Sequence, residues 1–278
     1  MFSLFLGILG SSMLSIFMRL SERKITNNIA MLAMNYLTCS LLGLAYAVIS
    51  GPVAIGPRLH LTAGMGVLNG IFFLSSFVLF QTSVRRNGVV LSSTFMKLGL
   101  LVTMVISICV YREMPDGLQI LGFLLALCAI VLINYRREEN ASGFRWGLIA
   151  LLLLSGMGDA MAKIFEESGL NGMADWFLLF TFATALPFAL LLMAVKGQRI
   201  GKWEILFGAA IGIPNFFSSK LLLQALETIP AVVVYPVYNV GVILVVTVTG
   251  VLLFRERLSR RQMVGLGLIL GALVLLNI

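Results

Sequence analysis

Three ionisable side chains stand where charge is expensive. Lys97, Asp159 and Lys220 each lie well inside a long apolar run. A charged group at the centre of a hydrocarbon layer costs ~2.5–3.5 kcal/mol on the insertion scale, so it persists only inside a bundle, beside a partner or water. Two chemistries are open. One is a polar binding site, in which one lysine pairs with Asp159 and the other attracts a carboxylate or phosphate. The other is a structural ion pair, Asp159 with one lysine, that locks helices together. Amides at Asn69, Gln81, Asn215, Gln224 and Asn239 sit at similar depth; they bind solute or hydrogen-bond helix to helix. Tyr235 and Tyr238, three residues apart, share one face of their run. Nucleotide loops, metal-ligand clusters and nucleophile–base sets are missing from the sequence. The reading is therefore neither an enzyme nor an ATP-driven pump, and no cofactor is implied.

The elements that carry these residues are apolar and repeated. Of 278 residues, 59% are hydrophobic and 12% charged, against about 25% charged in soluble domains. Mean hydropathy is +1.01. Ten runs, each of about 20 residues, suit a hydrocarbon core roughly 30 Å thick. They are Phe2–Leu20, Asn28–Ile49, His60–Gln81, Gly88–Val110, Gly117–Asn134, Trp146–Phe165, Trp176–Val195, Glu204–Leu226, Pro230–Phe254 and Gln262–Ile278. The alternation of a membrane β-barrel is absent, so the expected fold is an all-α membrane protein of ten transmembrane helices. Trp146, Trp176 and Trp203 fall at run ends, where indoles anchor at interfaces. The first run lacks a basic flank in front, so it reads as a span and not as a leader. Cys39, Cys109 and Cys128 fall inside runs and read as small core residues. Gly267 and Gly271 give the tenth run a close-packing face.

The net charge of +8 reflects topology and not nucleic acid, because the basic residues gather between the runs. Odd-numbered connections hold Arg19, Arg23, Lys24, Arg85, Arg86, Arg136, Arg137, Arg145, Lys196, Arg199, Lys202, Arg255, Arg257, Arg260 and Arg261. Even-numbered ones hold only Arg58, Arg112 and Lys163. The positive-inside rule then puts the odd connections in the cytoplasm and both termini outside.

The chain also repeats itself. At an offset of 143, Phe73, Ser75, Ser76, Leu79 and Gln81 match Phe216, Ser218, Ser219, Leu222 and Gln224. The same offset pairs Val89-Val90 with Val232-Val233, Arg112-Glu113 with Arg255-Glu256, and Gly122 and Asn134 with Gly265 and Asn277. One residue further, Ser11, Met13 and Glu22 match Ser155, Met157 and Glu166. Polar matches held in one register over a long stretch define two repeats, residues 1–138 and 139–278. Each has five spans, an odd number, so the copies must lie inverted, an arrangement that marks transporters with a site near the midplane.

The segment from Phe217 to Asn277 resembles the small multidrug resistance proteins, through Gln224, Ile229-Pro230, Tyr235, Tyr238, Arg257-Leu258, Gly265 and Asn277. The doubled ten-span form resembles the EamA-like transporters of the drug/metabolite transporter superfamily. The resemblance implies that the helices bearing Lys97, Asp159 and Lys220 border a central cavity and that the two tyrosines line it. One departure stands out. The small multidrug family has a Glu eight residues before a Lys in its first helix. Counting back from Lys163 gives Ser155, and Ser11 in the first repeat. The carboxylate shared by drug and proton is thus missing, and Asp159 lies one turn further along.

The function expected is secondary transport of small metabolites, amino-acid-like or otherwise anionic, by alternating access. Export of hydrophobic cations is the alternative, and a non-transporting, lipid-handling membrane subunit comes from a different class. The expected substrate-binding residues are Lys97, Asp159, Lys220, Tyr235, Tyr238, Gln81, Gln224 and Asn239. The expected partners are a small-molecule substrate and the lipid bilayer, with no nucleic acid, in a monomer or homodimer. The expected location is a cell membrane of the bacterial inner-membrane type.

Overall fold

A computed structural model describes residues 1–21, 24–51, 56–87, 92, 95–134, 145–170, 172–254 and 260–276. The side chain of Gln81 and the repeat-matched Glu22, Val89, Val90, Arg255, Glu256 and Asn277 lie outside the described set, as do Arg257 and Leu258. Every regular element in it is an α-helix. They are α1 (Phe2–Ser21), α2 (Asn28–Ile49), α3 (Pro57–Asn87), α4 (Leu100–Cys109), α5 (Gly117–Asn134), α6 (Arg145–Glu167), α7 (Ala174–Val195), α8 (Lys202–Leu226), α9 (Ala231–Phe254) and α10 (Arg260–Leu276). Seven are long and apolar enough to cross a membrane, whereas α4, α5 and α10 give shorter apolar helices. Leu41, Val48, Leu191, Leu252 and Val274 stand exposed on the outer faces. That suits helices solvated by acyl chains, whose backbone polar groups are all satisfied internally.

Two elements differ from the sequence expectation. Arg85 and Arg86 belong to α3, which is longer than the expected span and continues to Asn87. The fourth run is interrupted. Residues 95–97 are helical, Leu98 and Gly99 form a turn, and α4 starts at Leu100. There the backbone tightens to three-residue closures, Gly99 N–H to Met96 O (3.2 Å) and Val102 N–H to Gly99 O (2.9 Å).

Helix ends follow local chemistry. At the end of α7, Gly197 takes φ 61° and Gln198 N–H closes back on Met193 O at 3.0 Å. Glycine suits this left-handed position because it has no Cβ to clash. At the end of α4 the same conformation falls on Arg112 (φ 57°), the one non-glycine case among the described residues.

The helices form two packed units. The first comprises Met1–Leu74 and Ile164–Glu227, the second Ser75–Lys163 and Thr228–Ile278. Each draws helices from both halves of the chain. In the first, α2 packs on α7 and α8, and α1 on α8. In the second, α5 packs on α10 and α4 on α9. The pairs α2·α7, α4·α9 and α5·α10 each join helices five apart in order. Ala126, Ala129, Val240, Ile269 and Ala272 form a core cluster of the second unit. Small residues at this seam let the backbones approach.

Two helix crossings in the first unit are equivalent atom for atom. A Cβ added to Gly66 of α3 would lie 2.5 Å from Phe180 Cβ, 2.9 Å from Phe177 O and 3.2 Å from Thr181 N of α7. A Cβ added to Gly208 of α8 would meet Met34 Cβ, then Met31 O at 2.8 Å and Asn35 N at 3.1 Å, on α2. One turn on, Gly70 faces Thr184 and Thr181 O, and Gly212 faces Thr38 and Asn35 O. Exchanging α2 with α7 and α3 with α8 maps one crossing onto the other.

Candidate functional site

Among the described residues, Lys220, Lys97 and Lys163 each have an acid on a packed neighbouring element. In the first unit, Lys220 of α8 puts Nζ 2.6 Å from Asp175 Oδ1, in the first turn of α7. The other carboxylate oxygen accepts from Ser50 Oγ at 2.8 Å. The ammonium also lies 3.9 Å above the Tyr46 ring, a cation–π contact that compensates for lost water. Tyr46 stacks in turn on Phe216 at 5.6 Å. Both charged side chains are largely buried, 18% and 13% exposed. The sequence reading had two lysines competing for one acid; Asp175 changes that count. It lies just before the expected span, and the sequence reading gives it no role.

In the second unit, one face of α6 carries Ser155, Asp159 and Lys163 at four-residue spacing, one above another. Ser155 Oγ donates to Met96 O at 3.1 Å, at the interruption before α4. Gly99 and Gly156 meet backbone to backbone beside it. Only glycines permit this approach, and it brings the turn after Lys97 against α6. Lys97, just before this turn, and Asp159, one turn beyond Ser155, thus stand on packed elements. Tyr235 of α9 is buried and donates its hydroxyl to the Asp159 backbone oxygen at 2.5 Å.

The third pair sits one turn further along α6. Lys163 Nζ lies 2.8 Å from Glu113 Oε1, with side chains 4% and 14% exposed. Glu113 Oε2 accepts the Val232 N–H at 3.1 Å. The sequence reading counted Lys163 among loop charges; it is buried in α6. Glu113 thus caps the first turn of α9 and pairs with α6.

The expected site residues fall in both units. Lys97, Asp159, Tyr235, Tyr238 and Asn239 belong to the second unit, and Lys220 and Gln224 to the first. Asn239 turns its amide back to Tyr235 O at 3.0 Å. Gln224 is exposed. Of the other amides, Asn215 donates to Asn35 (3.2 Å) and Asn69 to Thr181 (3.3 Å), each from one helix to a neighbour. Of the cysteines, Cys39 is buried, its Sγ donating to Gly212 O at 3.3 Å, but Cys109 and Cys128 are exposed and not core residues. No group of His, Cys, Asp or Glu suited to a metal occurs among the described residues.

Apolar helices with outward apolar faces and inward ion pairs define a multi-pass membrane protein. The model of the EamA-like transporter family matches residues 1–135 and again residues 142–278, so this chain belongs to that family, whose members are membrane transporters of small molecules. An uncharacterized protein of Haemophilus influenzae is 26% identical over 210 residues, covering 73% of this chain and 72% of the relative. A solved crystal structure superposes with a TM-score of 0.77 at 14% identity, over 100% of this chain and 97% of that one. At that identity it speaks to the fold alone.

Proposed function

We propose that this protein is a secondary transporter of small amino-acid-like solutes, working by alternating access of two inverted five-helix repeats, residues 1–138 and 139–278. It resides in a membrane of the bacterial inner-membrane type. The observation that carries the reading is the tightened turn at Leu98–Gly99, which follows Lys97 and is seated by Gly99 and Ser155 against α6, the helix that bears Asp159. A zwitterion presents a carboxylate and an ammonium a few ångströms apart, and a lysine and an aspartate on neighbouring elements complement both. A 3₁₀ stretch within a helix often marks a functional hinge. Tyr235 adds a hydroxyl and an aromatic wall at the same place.

The equivalence of the two glycine crossings supports the repeat, and with an odd helix number per repeat the copies lie inverted about an axis in the membrane plane. Ser155 replaces the acidic residue of the small multidrug resistance pattern, which argues against proton-coupled export of hydrophobic cations. The test is uptake and counterflow in proteoliposomes with radiolabelled L-amino acids, and with tetraphenylphosphonium as a lipophilic cation. Saturable amino-acid uptake that disappears in Lys97→Gln and Asp159→Asn is the expected result. Transport of the cation alone would overturn the proposal.

A further inference from the structure

α9 begins under an unusual constraint. The Val232 N–H lies in the first turn, where a helix supplies no acceptor of its own. Pro236 removes the N–H that would otherwise bond the Val232 carbonyl. The first turn of α9 therefore depends on groups from elsewhere, and Glu113 supplies one. Its carboxylate bonds the Val232 N–H at 3.1 Å, a favourable place for negative charge. The other oxygen is held by Lys163 at 2.8 Å. Glu113 follows Arg112, whose φ of 57° is a left-handed position unfavourable for a residue with a Cβ. The Glu113 N–H closes this turn on Ser107 O at 3.1 Å.

Two rungs thus join α6 and α9. The ionic rung is Lys163, Glu113 and the Val232 N–H. The second is the Asp159 oxygen and the Tyr235 hydroxyl. On α6 they are four residues apart and on α9 three, one turn in each case. We infer that Glu113 and Lys163 are positioning residues, which set the register of α9 on α6 and so hold Tyr235 at the Asp159 site. This rests on the reading of Lys97 and Asp159 as the solute site.

The test places 3-fluorotyrosine at position 235 and follows its 19F resonance in purified protein, with melting temperature and L-amino-acid uptake measured alongside. Glu113→Ala should shift or broaden the resonance and raise KM about tenfold, the effect of losing one charge-assisted contact, with Vmax little changed. Glu113→Gln keeps an acceptor for the Val232 N–H and should fall between, and Lys163→Arg should resemble wild type. If Glu113→Ala does not fold, the Glu113→Gln and Lys163→Arg comparison carries the decision. An unchanged resonance in the variants that lose the ion pair, with lowered melting temperature, would overturn the inference. The 19F signal needs no solute, so a wrong choice of substrate shows separately, as absent uptake in the wild type.

Discussion

Gly66 and Gly208 occupy equivalent seats, one against Phe177 and Phe180, the other against Met31 and Met34. Neither seat has room for a Cβ, and at each the listless alternative of a looser crossing would forfeit dispersion and weak Cα–H···O contacts that hold membrane helices together. Gly66→Val and Gly208→Val should therefore each destabilise by about 1–3 kcal/mol, the usual cost of overpacking. Gly267 meets nothing within 4 Å, so Gly267→Val should leave the melting temperature of the solubilised monomer unchanged. Equal melting temperatures for all three variants would show that neither seat is tight.

The pair Lys220–Asp175 gives a second prediction. Lys220→Met leaves the Asp175 carboxylate with Ser50 alone in a largely buried place, and Asp175→Asn strands the ammonium over Tyr46. Each should lower stability by up to about 3–5 kcal/mol, less whatever the residual water contact returns. The double variant should recover much of the loss. Additive losses, measured by thermal unfolding in one detergent, would mean that the charges do not act as a pair.

Much of the fold was legible because membrane helices are written in long apolar runs, and all ten runs reappear as helices. What was missed has physical causes. Asp175 and Lys163 stand near run ends, where a charge is cheap, and hydropathy does not reveal that each is drawn inward by a partner. The turn at Leu98–Gly99 is hidden because apolar composition continues across it; its one local sign is Gly99. The polar residues set a repeat offset of 143, which pairs Gly66 with Ala209, yet the contacts pair it with Gly208. The Gly-xxx-Gly noticed in the sequence, Gly267 and Gly271, is not a tight seam in the chain, whereas Gly66-Gly70 and Gly208-Gly212 are. Spacing shows where close approach is permitted, and only the facing helix decides where it occurs.

The uneven distribution of basic residues predicts orientation. With Lys163 buried, the even-numbered connections keep only Arg58 and Arg112. A phosphatase fused after Ile278 should be active outside, and one inserted after Glu139 inactive in the cytoplasm. Activity at Glu139 with none at Ile278 would reverse the topology and exchange the faces assigned to every helix end.

The last prediction compares Lys97, Asp159 and Lys220. All three are charged within helical, apolar surroundings, but their partners differ. Lys220 is locked to Asp175 at 2.6 Å, with Tyr46 beneath. Lys97 and Asp159 stand on packed elements, beside a tightened turn whose Met96 carbonyl accepts from Ser155 and Gly99. A locked pair belongs to stability, whereas a pair whose backbone neighbours are satisfied by others is free to meet a solute. Lys220→Gln should therefore lower the melting temperature more than it lowers uptake per folded molecule. Lys97→Gln and Asp159→Asn should do the opposite, abolishing L-amino-acid uptake with a modest change in melting temperature. Exchanging the charges, Lys97→Asp with Asp159→Lys, preserves the pair but reverses its direction. Stability should largely return while uptake stays lost, because a zwitterion held by fixed neighbours binds in one orientation. Uptake restored by the exchange, or retained in both single variants, would show that the pair only holds helices together.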